Sequence, residues 1–286
     1  MGKLKASGAR GLDGLGPAEI KQLPDAILEY LRVFFDLIEM KGVWPRALTV
    51  AAVTLIPKGE GGAPLAQRPI SVMPVVYRLW AATRARHSLP WQETWICEDQ
   101  HGCRPQHGTS GVLLRVAAEL EAAMLNGEAV AGLSLDFAKA FDNVPVAIAL
   151  AILQEHGLSN EILHPLIDMH GRLRRRFKIR GYLGQPFGAT NGIMQGCPLS
   201  VLLLNASVSV LTKSGQSEHD TVICPSYVDD TSFLCKYDQG LHEMMHILQT
   251  FLNLTGMRLR PASRCRVLEV ARGRFPFRRK HCDFGV

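Results

Sequence analysis

The chain has 286 residues, 47% of them hydrophobic and 20% charged, which supplies enough apolar surface for a core and excludes a disordered polar chain. Its formal net charge of +6 and pI near 9.0 favour an acidic partner, with nucleic acid the commonest. Seven cysteines without a scaffold spacing fit a reducing compartment, and no run is long and apolar enough for a signal peptide or membrane span, so an intracellular, non-secreted protein of cytoplasm or nucleus is expected.

The Gly-rich stretch 7–16 reads as a loop, with no internal repeat or low-complexity linker after it. Asp25 then reads as an N-cap, and Ile27, Leu31, Phe34 and Ile38 share a helical face until Gly42. The β-branched run 47–56, closed by Pro57, reads as a buried strand. A helix after Ser110 carries Leu113, Leu114, Ala117, Leu120 and Met124 on its proposed inner stripe and stops at Gly127. From residue 129 strands and helices alternate. A buried strand spans 129–135, a helix spans 146–156, and a hairpin broken at Gly181 and Gly184 spans 174–193. Pro198 opens an apolar helix to about Leu211. Short strands 221–228 and 231–235 flank two aspartates, and Leu241, Met244, Met245, Leu248 and Leu252 mark a last helix before Gly256. The expected class is α+β, an antiparallel sheet flanked by helices.

The sharpest feature is Tyr227-Val228-Asp229-Asp230 between two strand-like runs. A bare Asp-Asp pair is most often a polar turn. A hard cation such as Mg²⁺ would remove the repulsion, provided a third carboxylate comes from elsewhere. Leu133-Ser134-Leu135-Asp136 supplies one at the end of an apolar strand. Two strand ends carrying adjacent carboxylates suit two-metal phosphoryl transfer. Asp136 alone would read as a helix N-cap.

At these residues the chain resembles reverse transcriptases. Asp136-Phe137-Ala138-Lys139-Ala140-Phe141-Asp142 looks like their motif A, Tyr227-Val228-Asp229-Asp230 like motif C, and Gly192-Ile193-Met194-Gln195-Gly196-Cys197-Pro198-Leu199-Ser200 like motif B in its non-LTR retrotransposon wording. Gly11-Leu12-Asp13-Gly14, Trp44-Pro45, Leu55-Ile56-Pro57-Lys58, Arg68-Pro69-Ile70-Ser71, Tyr77-Arg78 and His101-Gly102-Cys103-Arg104 with Thr109 follow the family's order. The resemblance implies right-hand polymerase fingers at 1–128, a palm at 129–270 and a basic tail at 271–286 where a thumb would start, the thumb being missing or truncated.

It also implies roles. Asp136 and Asp229 would hold two Mg²⁺ ions, or Mn²⁺ in their place, with Asp230 beside them and the Phe137 carbonyl as an extra ligand. Lys58 and Arg68 would bind the triphosphate, Gln195 and Gly196 would admit the nucleotide and template base, and Phe141 would stand against a ribose 2′-hydroxyl. Arg174, Arg176, Lys178 and Arg180 share one face if their segment is a strand, either tracking a phosphate backbone or guarding a solvated edge. Tyr227 joins them as an expected nucleic-acid contact. The implied partners are an RNA template, a DNA primer, deoxynucleoside triphosphates and other domains of a longer polyprotein.

Some features depart from the pattern. Val201 stands where a second proline often follows, Cys103 replaces an aromatic, and after Gly256-Met257-Arg258-Leu259 only Arg264, with one residue inserted, approaches the lysine of motif D. Cys97, His101, Cys103 and His107 have a spacing that matches no common zinc site. The basic stretch 272–280, with Phe275 and Phe277, reads as a nucleic-acid contact or a disordered end. The main reading is an RNA-directed DNA polymerase. An RNA-copying RNA polymerase and a decayed fragment that binds nucleic acid without polymerising are the alternatives.

Overall fold

The computed structural model describes residues 7–57, 67–218, 222–236, 238–260, 266–271 and 274–281. The first elements are helices α1 (Pro17–Lys21) and α2 (Asp25–Lys41), strands β1 (Val50–Pro57) and β2 (Gln67–Val72), and helices α3 (Val75–His87), α4 (Leu89–Gln92) and α5 (Thr109–Asn126). Strand β3 (Val130–Asp136), helices α6 (Ala140–Asn143), α7 (Val146–Glu155) and α8 (Asn160–Arg172), and strands β4 (Arg174–Ile179) and β5 (Tyr182–Leu183) follow. The rest comprises helix α9 (Ser200–Glu218), strands β6 (Val222–Ile223), β7 (Ser226–Tyr227) and β8 (Asp230–Cys235), helix α10 (Asp238–Thr255), and strands β9 (Arg266–Ala271) and β10 (Arg274–His281). The class is α+β, as expected. Two compact units form, one from 1–88 with 150–200, the other from 89–149 with 201–286.

In the first unit a four-stranded sheet runs β2-β1-β4-β5, with β1 antiparallel to β2 and parallel to β4. The apolar centre of β1 (Ala51, Ala52 and Val53) is buried, as its composition demands. Trp44 packs edge-on against Tyr77 and Trp80 at 5.3 and 5.2 Å. Trp44 donates its indole N–H to the Pro165 carbonyl (3.1 Å) and its backbone N–H to Asp168 Oδ2 (2.8 Å), which fastens α8 to this cluster. Trp44-Pro45 and Tyr77-Arg78 thus contribute buried aromatic rings to the core. Helix α2 begins at Asp25 itself with Pro24 as its cap, and Gly42 at φ +68° ends it as expected. The turn Arg180-Gly181 has both φ positive, the type I′ signature of a tight hairpin. Strand β2 and helices α3 and α8 escaped the sequence reading. Pro69 and Pro165 argued against them, and α3 spreads three arginines through its apolar residues.

In the second unit six strands form one antiparallel sheet, β10-β9-β3-β8-β6 with β7 also on β8. Met244, Leu248 and Phe251 of α10 are buried, on the predicted side of that helix. Helix α5 corrects the reading. Leu113 and Leu114 are 69% and 71% exposed, while Val116, Leu120 and Ala123 face Val130, Ile223 and Leu234. Two apolar stripes at helical spacing were available, and β3 and β8 cover only one. The basic stretch is no loose end, since 274–281 forms β10 against β9, in keeping with the alternation around Phe275 and Phe277.

His170 Nε2 is buried and has no hydrogen-bond partner among the described residues. Burial, then the nearby Arg175 charge, pushes its pKa down to about 4. The unfolded imidazole takes its proton near pH 6.5, so between those values the unfolded state binds more protons. Stability should therefore fall as pH drops through that window, by on the order of 2 kcal/mol. Urea midpoints from pH 7 to 4 test this: His170→Gln should flatten the decline, and an unchanged slope would rule the group out.

Candidate active site

Strand β3 delivers Asp136 from a buried apolar ladder in which Leu133 and Leu135 are nearly inaccessible. Its partner across the sheet is Asp230, the first residue of β8. Strands β7 and β8 close as a hairpin with Tyr227 opposite Asp230, so Val228 and Asp229 form a two-residue tip. The three predicted aspartates therefore collect at one end of one sheet. Phe137, the next residue after β3, is buried and packs edge-on against Phe251 at 6.2 Å, which fixes the strand's exit.

Like charges directly opposite on a sheet destabilise it. Part of that repulsion is answered locally. Residues 258–260 run antiparallel beside the exit of β3: Ala138 N–H donates to the Arg258 carbonyl and Arg260 N–H to the Asp136 carbonyl, both at 2.8 Å. The Arg260 guanidinium then lies 3.3 Å from Asp136 Oδ1. Arg264, the residue singled out in this region, lies outside the described residues. Arg260 was missed because nothing in its spacing distinguishes it from a surface charge.

The chain then turns through Lys139 at φ +47° into α6, and Asn143 Nδ2 pins the turn by donating to the Ala138 carbonyl at 2.7 Å. Phe141 sits half-buried in that short helix. Val228 carries φ +62°, whereas Asp229 does not have positive φ. That is the φ pattern of a type II′ turn, whose first central position ordinarily takes glycine. A β-branched residue there is strained by about 1–3 kcal/mol.

Carboxylate oxygens suit Mg²⁺ or Mn²⁺, and the donors here are of that kind. The three aspartates are neighbours, although no three His, Cys, Asp or Glu groups among the described residues are drawn into a ready-made metal cluster. The thiols offer little. Burial pushes Cys97, Cys103 and Cys224 above the usual thiol range, and the Cys97 thiol donates to Gln216 Oε1 at 3.1 Å.

The other predicted residues belong to the first unit. Arg68 is exposed on β2, and Lys58 lies outside the described residues. The Gln195 carbonyl accepts from Ser71 N–H at 2.8 Å. Gly196 is exposed at φ +117°, and a Cβ there would come 2.6 Å from the Ser71 carbonyl, so only glycine fits. Arg174, Arg176 and Lys178 alternate along β4 and share a face, but Arg180 belongs to the hairpin turn instead. The solvated-edge alternative is also corrected, because β4 lies between β1 and β5. Arg176 Nε is occupied, donating to the Gly184 carbonyl at 2.8 Å.

The family described as reverse transcriptase (RNA-dependent DNA polymerase) matches residues 56–270. This chain belongs to the reverse transcriptase family. It is 25% identical over 289 aligned residues to the Retrovirus-related Pol polyprotein from type-2 retrotransposable element R2DM of Drosophila melanogaster, covering 93% of this chain and 27% of that protein. It is 26% identical to the RNA-directed DNA polymerase from mobile element jockey of the same species, covering 93% and 30%. The chain thus spans under a third of the length of these relatives. Among solved structures, apo telomerase from Candida Tropicalis truncated from its C-terminal domain aligns with a TM-score of 0.61 at 13% identity, over 88% of this chain and 57% of that one. The same organism's telomerase in complex with the TWJ fragment of telomeric RNA aligns at 0.61 and 12%, over 86% and 44%. At such identity the likeness concerns the fold of the reverse transcriptase.

Val228→Gly should relieve the turn strain while giving the unfolded chain more freedom, a penalty of about 0.5–1 kcal/mol. Relief outweighs the penalty, so the thermal midpoint should hold or rise by a few degrees. A drop equivalent to more than about 1 kcal/mol would mean that Val228 is unstrained or that its side chain packs more than it strains.

Proposed function

We propose that this chain is the polymerising portion of a mobile-element reverse transcriptase, adding deoxynucleotides to a primer 3′ end on an RNA template. The observation that carries it is the opposition of Asp136 and Asp230 at the end of β3 and β8, with Asp229 in the adjoining tip. Asp136 and Asp229 would hold the divalent ions, with Asp230 and the Phe137 carbonyl beside them. A divalent ion held there would supply activation of the attacking hydroxyl and stabilisation of the leaving oxygen. Arg260 gives Asp136 a counter-charge that a more strongly bound dication would displace. Phe141 would press on the sugar and disfavour a 2′-hydroxyl. Arg68 and Lys58 would neutralise the triphosphate, and the exposed Gly196, beside Gln195, would admit the base pair.

The six-stranded sheet is the palm in this reading, with β3 and β6 to β9 in or at the end of the proposed 129–270 span and β10 beyond it. Arg174, Arg176 and Lys178, with Arg180 at the turn, would follow a phosphate backbone, and Tyr227 would border the primer. No helix among the described residues is long and apolar enough to cross a membrane. The relatives' greater length favours a second reading, a fragment that binds primer–template but needs further domains to polymerise.

Primer extension on an RNA template with Mg²⁺ separates the two. Incorporation by the parent should fall at least about 10³-fold in Asp136→Asn and Asp229→Asn, as loss of several kcal/mol of charge stabilisation requires. Phe141→Ala should raise ribonucleotide use relative to deoxynucleotides. Binding without incorporation by the parent would select the fragment reading, and full activity in the aspartate variants would refute the site.

A further inference from the structure

The inner strand of the aspartate hairpin, β7, has only two residues, each paired once to β8. So short a ladder fixes a turn poorly. On the opposite side of β7 lies the segment 99–102. Gln100 bridges to Ser226 in parallel, Ser226 N–H donates to the Asp99 carbonyl at 2.9 Å, and His101 N–H donates to the Ser226 carbonyl at 2.8 Å. Strand β7 is therefore held from both sides.

Buried side chains anchor that segment in turn. Asp99 is 4% exposed, and its Oδ2 accepts from Cys224 N–H (3.0 Å) and Gln216 Nε2 (2.8 Å) while Oδ1 faces Arg115 Nε at 3.3 Å. Asn205, on α9 and 2% exposed, donates from Nδ2 to the Gly102 carbonyl at 3.0 Å, and its own carbonyl accepts from Gln100 Nε2 at 3.1 Å. A primary amide this deep among leucines destabilises unless its bonds are made. Its Nδ2 bond goes to Gly102 behind the turn, while Gln100 is held by the Asn205 backbone carbonyl. Gly102 then seats the tip, since a Cβ there would come 2.5 Å from Val228 N and 2.9 Å from Val228 Cγ2.

We infer that Asn205 and Asp99 are positioning residues for the metal-binding carboxylates, holding 99–102 as a strut against the strained Val228 tip. Neither would touch the ions. Both act through Ser226 and Val228 on Asp229, the residue that follows, so a small slip of the strut moves a ligand. The inference rests on the metal-site reading given above.

Mn²⁺ binding to the full 286-residue chain, followed by electron paramagnetic resonance, tests it with a readout that a purely structural role would not move. Asp136→Asn should abolish tight binding and so locate the ion. Asn205→Ala should weaken binding 10–100-fold in protein that still melts cooperatively, the range found when groups that orient metal ligands are removed. Should Asn205→Ala fail to fold, Gly102→Ala keeps the Asn205 hydrogen bond yet presses on Val228. It should give a comparable loss. Unchanged affinity in the folded strut variants, with binding abolished by Asp136→Asn, would overturn the strut and leave the metal site standing. No Mn²⁺ binding by the parent would remove both readings together.

Discussion

Two carboxylates face each other across the last rung of β3 and β8, and much of the second unit is arranged around that unfavourable opposition. Left alone, a like pair at this rung destabilises the sheet by up to about 1 kcal/mol, and strain at Val228 adds about 1–3 kcal/mol. Against a typical stability of about 5–15 kcal/mol these are substantial sums, which a frayed or shallow sheet would not tolerate. The site persists because β3 lies inside the sheet, with β8 on one side and β9 on the other, and because α10 buries Phe251 against its exit. Strain and repulsion concentrated at a strand end, on a rigid support, are what a site awaiting a dication should look like.

The same constraint explains Arg260. A guanidinium beside Asp136 lowers the electrostatic burden of the pair without filling the site, since one monocation at 3.3 Å offsets one carboxylate and leaves two. In the proposed metal site the residue would set a threshold that a divalent ion has to exceed in competing for Asp136.

Much of this was legible in the sequence where chemistry and periodicity coincide. The apolar run before Asp136 and the doublet Asp229-Asp230 between short strands forecast both the sheet and the gathering of carboxylates. The helix ends at Gly42 and Gly127 were readable because both glycines have positive φ. Other parts left no local signal. Helix α8 carries Pro165 in its interior, and α5 offers two apolar stripes of which tertiary packing selects the less obvious. Asp99 and Gln100 are a polar pair in a loop whose anchoring partners Asn205 and Cys224 lie more than 100 positions away. Asn205 was an available hint, an amide directly after the Leu202-Leu203-Leu204 run of α9. Arg180 shows the opposite limit, because alternation placed it on a strand face while the adjoining Gly181 turned the chain first.

If the opposed carboxylates are held for a cation, Mg²⁺ must bind the folded chain in preference to the unfolded one and so raise its stability by mass action. Thermal denaturation across a Mg²⁺ series at constant ionic strength measures this most directly. The account predicts a melting temperature that climbs with Mg²⁺ in the parent and a flat response in Asp136→Asn. A parent indifferent to Mg²⁺, or an Asp136→Asn variant that responds as the parent does, would contradict it.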